Sequence, residues 1–479
     1  MSKIIIMIRN TVIYLLVFML ALSCPRVCVA GEFPKAVLPS GEREPRIAAG
    51  AAILAETSLE KVLYAKNIDQ KMYPASLTKI MTALIALEYL DPPEAVTVGA
   101  EIESLPGDAS RTRHKPGETI TVENLIRALF LSSGNDSACV LAQQTAARVT
   151  GNEEIIYPNA ERVFCGLMTE KAKNLGALNT NFVNPHGYHN SRQFTTAYDM
   201  MLISREALKN PLINKIARET SFKGNGAGPF AETAEISQDY EWETTNLLLP
   251  GMSNAYANAT GIRTGQTDEA GMCLAASAEK DGRFLICVTL NSTDPERWTD
   301  TAALFEYGFN NFGVEVIQEK GEALGEIGLA NVPIGAEEYM PYYGRDEFVG
   351  YMSKKQKDGI QKFISFDTEF IYVSPDESLD AEIRLAPPIQ KGDVIGKVSY
   401  VLNDVIIFTG EIEAGADAEE RTFNTDADHY MGRIKAVFFS KAALPYWIIA
   451  FLVAGIAIRV IFVIRKNLRE KNKGYKIRW

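Results

Sequence analysis

Ser76 and Lys79 stand three residues apart in the stretch Tyr73-Pro74-Ala75-Ser76-Leu77-Thr78-Lys79-Ile80. On a helix of ~3.6 residues per turn, side chains at that spacing project on one side, so an amine can reach a hydroxyl. A serine is a poor nucleophile until a base accepts its proton, and lysine serves when burial or a neighbouring cation lowers its pKa. Taken alone the pair has a second reading, since a serine at a helix start is often only a cap. A second group is Ser133-Gly134-Asn135, lying between apolar Leu125 to Leu131 and a helical stretch from Cys139. Its glycine implies a turn, which either presents a hydroxyl and an amide to one cavity or supplies an N-cap. The third is Gly261-Ile262-Arg263-Thr264-Gly265, followed by Gln266-Thr267 and a strand from near Gly271. Glycines there let a ligand approach the backbone edge of a strand. No metal spacing competes with these groups. His114, His186 and His189 are dispersed, none lies four residues from another on an evident helix, and His429 is isolated.

The elements that must position these groups follow from periodicity. Ala51–Glu56 and Lys61–Lys66 read as a hairpin. Ile80, Leu84, Leu87 and Leu90 then give a helix with one core face, stopped by Asp91-Pro92-Pro93. Leu125 to Val149 and Arg162 to Leu175 are helical in period, so the middle of the chain is mainly α. Strands return at Gly271 to Ala278 and Phe284 to Asn291, joined by Asp281-Gly282, and Thr299 to Phe312 reads as a closing helix. Beyond residue 314 the texture becomes short alternating stretches, such as Val394 to Tyr400 and Val405 to Glu413, which predict a small all-β domain. Ala414 to Asp428 reads as a linker, and no internal repeat is present.

A length of 479 residues predicts about three folded units, and 47% hydrophobic with 23% charged residues excludes disordered and small disulfide-scaffold classes. The net charge of -11 is uneven: residues 1–30 carry +3 and residues 459–479 carry +7, leaving -21 for residues 31–458. So acidic a body would be repelled by phosphate backbones, which argues against a nucleic-acid partner. Lys3 and Arg9, the apolar run Thr11 to Leu22 and the small-residue site Cys28-Val29-Ala30 read as a secretory signal. Ala21-Leu22-Ser23 fits a lipoprotein site at Cys24 poorly. Ala442 to Ile464 is apolar over 23 residues, reaching ~35 Å, enough to span a bilayer. Trp447 to Ile458 has no polar face, which disfavours a surface helix. The basic residues after it belong on the cytoplasmic side, which puts the acidic body outside. Cys24 and Cys28 would leave with the signal, and Cys139, Cys165, Cys273 and Cys287 remain where disulfides are permitted. If Lys280 pairs with Arg283 across the turn, residue 287 faces 276, so a Cys273–Cys287 bridge is not expected.

The three groups, in this order, resemble the penicillin-interacting serine D-alanyl-D-alanine carboxypeptidases, a low-molecular-mass penicillin-binding protein family (peptidase family S11). The resemblance includes Tyr73 to Thr82, Ser133 to Asp136, Lys171-Ala172 to Leu175-Gly176, Asn184-Pro185-His186-Gly187 and Ala270 to Leu274. It runs from about Ala48 to Phe312, and Ala386-Pro387-Pro388 with Gly392 to Gly396 resembles the small β domain that follows. The implied fold class is α/β: a β-lactamase/transpeptidase-like domain, with an antiparallel sheet flanked by helices and a helical subdomain. A small all-β domain and a C-terminal transmembrane helix follow it. The implied organisation is signal 1–30, extended leader 31–45, catalytic domain 46–314, β-rich domain 315–415, linker 416–441, span 442–464 and cytoplasmic tail 465–479.

By this resemblance Ser76 would be acylated, Lys79 would accept its proton, and Ser133 would relay the proton to the leaving D-alanine. Asn135 would hold the substrate amide, Arg263 and Thr264 the terminal carboxylate, and Gly265 the strand edge. The amides of Ser76 and Gln266 would form the oxyanion hole. The expected substrates are peptidoglycan stem peptides ending in D-Ala-D-Ala, with β-lactams as covalent inhibitors and no metal or organic cofactor. Arg263 departs from the lysine usual in the family, and a planar guanidinium is not interchangeable with an ammonium at close quarters. Two alternatives are a serine β-lactamase and a catalytically silent wall-binding protein. The first would need a water-activating glutamate, and its candidate, Glu170 beside Asn174, has Lys173 where leucine is expected.

Overall fold

The computed structural model describes residues 35, 37, 39–58, 60–372, 383–440 and 444–471. The expected signal, Cys24, Cys28 and most of the tail lie outside the described residues. Two compact units emerge, one comprising residues up to Val314 with Tyr351–Asp358, the other Glu315–Gly350 with Gly359 onward.

In the first unit, β1 (Ala51–Glu56), β2 (Lys61–Lys66), α1 (Thr78–Tyr89), α2 (Val122–Leu131), α3 (Asn135–Thr150), α4 (Tyr157–Asn174) and α5 (Ala197–Lys209) precede three long strands. These are β3 (Ala259–Thr267), β4 (Gly271–Lys280) and β5 (Arg283–Ser292), and α6 (Glu296–Asn311) follows them. The sheet runs β2-β1-β5-β4-β3, with every pair antiparallel. Antiparallel sheets commonly leave one face wet; this one is covered on both. Ala51, Ile53, Ala55, Val288 and Leu290 face a core shared with α1, α2 and α3. Ala52, Leu54, Leu274, Ala276 and Leu285 face Trp298, Leu304 and Phe305 of α6. This explains why Ala51–Glu56 is buried at every residue.

The expectation of a single core face on α1 is corrected. Every residue from Thr78 to Ala86 is buried, because the helix is surrounded by the helical region and the sheet. The described part of the leader holds no helix or strand, and Ser40 fastens it to the first unit. Ser40 Oγ lies 2.7 Å from Tyr307 OH, Ser353 Oγ donates to Ser40 O at 2.6 Å, and Asp300 Oδ2 accepts from Ala48 N and Ala49 N. In the hairpin Ala276 pairs with Cys287, and Cys139, Cys165, Cys273 and Cys287 are free and buried.

The second unit contains β6 (Ala323–Leu329), β7 (Tyr339–Gly344), β8 (Gln361–Phe366), β9 (Arg384–Leu385), β10 (Val394–Leu402) and β11 (Val405–Ala414). They form one sheet in the order β8-β10-β11-β7-β6-β9. Residues 416–441, expected as a linker, instead contain α7 (Phe423–Phe438). Thr422 and Thr425 close a reciprocal capping box at its start, a signal that the acidic, alanine-rich composition concealed. α8 (Leu444–Lys471) follows.

Candidate active site

Ser76 does not begin an α-helix. It is the middle residue of a 3₁₀ turn, Ala75–Leu77, that leads directly into α1. In a 3₁₀ turn residues i and i+3 eclipse, which places Lys79 under Ser76 more directly than an α-helical start would. Lys79 Nζ lies 2.9 Å from Ser76 Oγ. It also lies 2.7 Å from Asn135 Oδ1 and 2.5 Å from the His186 carbonyl oxygen. An uncharged amine satisfies all three, donating its two hydrogens to Asn135 and His186 and turning its lone pair to the serine hydroxyl. Lys79 is fully buried, and its hydrogen-bond partners among the described residues, Ser76, Asn135 and the His186 carbonyl, include no carboxylate. Burial, helped by the Arg263 guanidinium, therefore holds its pKa well below that of an ordinary lysine.

Ser133 lies in the turn between α2 and α3, with its Oγ 3.1 Å from Ser76 Oγ. Both hydroxyl-presenting turns hold a non-glycine residue at positive φ, Ala75 at 47° and Ser133 at 60°, a conformation that costs roughly 1–3 kcal/mol and gathers at functional sites. Gly134 is present for space, because a Cβ there would meet Ser137 Oγ at 2.7 Å and Thr112 Oγ1 at 2.8 Å. Asp136 anchors the turn by accepting from Thr112 N, Thr112 Oγ1, Arg113 N and His114 N. Since Lys79 occupies the Asn135 oxygen, only the Nδ2 donors of that amide remain to offer a substrate carbonyl.

β3 is the edge strand of the sheet and carries the third group. Gly265 permits the approach of this strand to the serine turn, since a Cβ there would stand 3.0 Å from Pro74 O and 3.2 Å from Ser76 N. Arg263 is fully buried. Its Nη2 donates to Ser133 Oγ at 2.7 Å, its Nε to Ser76 O at 3.0 Å and its Nη1 to Phe130 O at 3.0 Å. Three of its five N–H donors thus tie the Ser76 turn, α2 and Ser133 together. Burial pushes its pKa down to about 9, which leaves it charged at neutral pH. Thr264 Oγ1 lies 2.8 Å from Thr245 Oγ1, and Gln266 is exposed at the strand edge.

Ser76, Lys79, Ser133, Asn135 and Arg263 thus form one hydrogen-bonded cluster, with Thr264, Gly265 and Gln266 on the adjoining strand. The reading from residue types overlooked the carbonyls of His186 and Phe130, and the Thr245 hydroxyl. Backbone acceptors have no side-chain signature, although Asn184-Pro185-His186-Gly187 was visible as a family-like segment. Gly187, at φ 86°, sits so close under the serine turn that a Cβ would come within 1.9 Å of Ala75 O. Glu170, the candidate of the β-lactamase alternative, is exposed on α4.

Comparison with known proteins agrees with this geometry. The D-alanyl-D-alanine carboxypeptidase family profile matches residues 39–294, more than half of the chain. D-alanyl-D-alanine carboxypeptidase DacF of Bacillus subtilis is 29% identical over 410 residues, covering 82% of this chain and 92% of its own length. DacC of Escherichia coli is 32% identical over 278 residues, 56% of this chain and 63% of the relative. Penicillin binding protein 5 from Haemophilus influenzae superposes with a TM-score of 0.53 at 26% identity, covering 79% of this chain and 100% of that one. DacD from Francisella tularensis, at 21% identity and a TM-score of 0.58 over 83% of this chain, shares the fold. With the serine–lysine pair Ser76 and Lys79 inside the matched region, this chain belongs to the D-alanyl-D-alanine carboxypeptidases of peptidase family S11, serine hydrolases of the penicillin-binding protein group.

Proposed function

We propose that the protein removes the terminal D-alanine from peptidoglycan stem pentapeptides through an ester on Ser76. Lys79 takes the Ser76 proton as Oγ attacks the penultimate D-alanine carbonyl, and the amides of Ser76 and Gln266 hold the oxyanion. The proton then passes from Lys79 through Ser133 to the departing D-alanine nitrogen as the peptide bond breaks. Water, deprotonated by Lys79, cleaves the ester and restores the hydroxyl. The observation that carries this reading is the buried, carboxylate-free Nζ of Lys79, 2.9 Å from Ser76 Oγ. A β-lactam offers the same attackable carbonyl. The test is to incubate the full-length protein with a diacyl-D-Ala-D-Ala peptide and, separately, with penicillin. D-alanine release together with a penicillin adduct lasting minutes to hours is expected. Rapid turnover of penicillin indicates a lactamase, and a folded protein that releases no D-alanine indicates a silent homologue.

In this mechanism the substrate carboxylate is held by Thr264 and by the positive charge of Arg263. Arg263→Ala removes that charge together with its hydrogen bonds to Ser76 O, Phe130 O and Ser133 Oγ. Charge-assisted hydrogen bonds of this kind contribute roughly 1.5–3 kcal/mol, so kcat/KM for the peptide is expected to fall about ten- to a hundredfold. Unchanged KM and kcat would remove Arg263 from the substrate site.

Leu444–Leu468, a helical segment of 25 residues with mean hydropathy 2.7 over its apolar window and 0% of that window buried, supports a single-pass anchor with the catalytic unit outside the cytoplasm, as do the cations at and beyond its C-terminal end. α7 supports this placement. Its polar face meets the β-rich unit, where Asp426 accepts from Ile334 N at 3.0 Å and His429 packs on Gly335. Phe423, Tyr430, Met431, Ile434, Val437 and Phe438 line the opposite, exposed face. An outward apolar stripe six residues before a span suits the bilayer interface. A chain ending at Glu420 is expected in the soluble fraction after lysis, and the full chain in the membrane pellet; sedimentation of the truncated chain with membranes would contradict the anchor.

A further inference from the structure

The loop between α4 and α5 holds a buried amide that the mechanism above does not use. Gln193 is 3% exposed, and each of its polar atoms is engaged. Its Oε1 accepts from Val183 N and from Asn184 N, both at 2.9 Å. Its Nε2 donates to Thr78 Oγ1 at 3.1 Å and to Asn184 Oδ1 at 3.3 Å. Each of the two arms leads to a different side of the serine–lysine pair. Through the first, Thr78 Oγ1 donates to Ala75 O at 2.8 Å, fixing the turn that carries Ser76. Through the second, Asn184 Oδ1 accepts from Gly187 N at 2.7 Å, which sets the loop whose His186 carbonyl touches Lys79 Nζ. The same loop is fastened to α1 where Thr82 Oγ1 donates to Pro185 O.

We infer that Gln193 is a positioning residue: one amide clamps both the Ser76 turn and the 183–187 loop, and so keeps Lys79 Nζ sealed against Ser76 Oγ. The inference rests on the reading of Lys79 as the base. Lys79 is faced by Arg263 from β3, Asp136 and Cys139 from α3, and His186 from the loop. Burial is the largest influence on it, ahead of any of these charges. The His186 carbonyl by itself favours the ammonium, so losing that contact would lower the pKa. Admitting water relieves the larger influence and raises it. Releasing the clamp is therefore expected to move Lys79 back towards an ordinary lysine. Since the uncharged amine is the active form, activity is lost as pH falls through its pKa, and the acid limb must move to higher pH.

The test is the pH profile of kcat/KM for the diacyl peptide, measured on the full chain for Gln193→Met, which keeps the volume and deletes every hydrogen bond. The acid limb is expected to rise by about one pH unit, with roughly tenfold less activity on its steep part and little change in KM. A merely structural role would lower the melting temperature and scale the profile evenly without shifting it. If Gln193→Met does not fold, Thr78→Val cuts one arm alone and is expected to shift the limb in the same direction, whereas Thr78→Ser keeps the wild-type limb. Limbs of the folded variants coinciding with wild type overturn the clamp and leave the base reading intact. A wild-type profile with no acid limb, or a limb that survives Lys79→Ala, overturns both.

Discussion

Ser76→Ala protein treated with penicillin is expected to keep its unmodified mass, whereas the wild-type chain gains a single covalent adduct. The surroundings of one oxygen decide this outcome. Ser76 Oγ is the hydroxyl that contacts both Lys79 Nζ, at 2.9 Å, and Ser133 Oγ, at 3.1 Å. Removing it leaves Ser133 bonded to the Arg263 guanidinium, a donor that cannot accept a proton. Hydrolysis of the peptide should fall to the residual that binding and an oxyanion hole provide without a nucleophile, about 10³–10⁴ over water in well-studied serine enzymes. The fold should persist, because Ser76 occupies a partly exposed turn and the Leu77 N to Pro74 O bond that shapes it is backbone only. Intact-mass spectrometry of both proteins decides the matter, and a mutant that still gains the adduct would assign the ester to another residue.

The second large effect is expected from Lys79→Ala. A positioned general base contributes roughly 10²–10⁴-fold, so acylation by penicillin should slow by about that factor while the Ser76 hydroxyl remains. The direction with pH follows from the depressed pKa of Lys79. In the wild type the amine is uncharged above that pKa, and acylation declines as pH falls through it. In Lys79→Ala this acid limb should vanish and leave a low, flat rate. The mutant must also leave Asn135 Oδ1 and His186 O without their donor, at about 1–3 kcal/mol for each buried acceptor left unpaired. A drop in melting temperature is therefore expected alongside the kinetic loss. Stopped-flow acylation across pH separates the two effects. Retention of both the rate and the limb would show that another group takes the proton.

The elements of the first unit were legible because their signals are local. The hairpin Ala51–Glu56 with Lys61–Lys66 has the expected bounds, and the Asp281-Gly282 turn joins two strands whose pairing of Lys280 with Arg283 carries through to Ala276 opposite Cys287. Less legible was whatever depended on the surroundings. Periodicity gave α1 one apolar face, but Lys79 and Thr82 are as buried as Ile80, because the helix is enclosed and its polar groups are satisfied by Asn135, His186 and Pro185 from elsewhere in the chain. α7 was missed because acid and alanine content outweighed a capping box and an apolar stripe that composition does not record.

By itself, the order of residues determined which side chains could do chemistry, and placed two of the three groups just before a helix and in a turn between helical stretches. Those facts depend on residue type and on spacings of a few positions. That Ser76 sits in a 3₁₀ turn and the third group on the edge strand of the sheet came from the structure. Only the tertiary structure decided that a lysine would lie without a carboxylate beside the serine. It also decided that Arg263 would fold inward onto two carbonyls and Ser133, and that a glutamine in a distant loop would tie the arrangement together. Burial and hydrogen-bond partnership join residues tens to hundreds of positions apart, and it is these, rather than the identity of the lysine, that set its pKa.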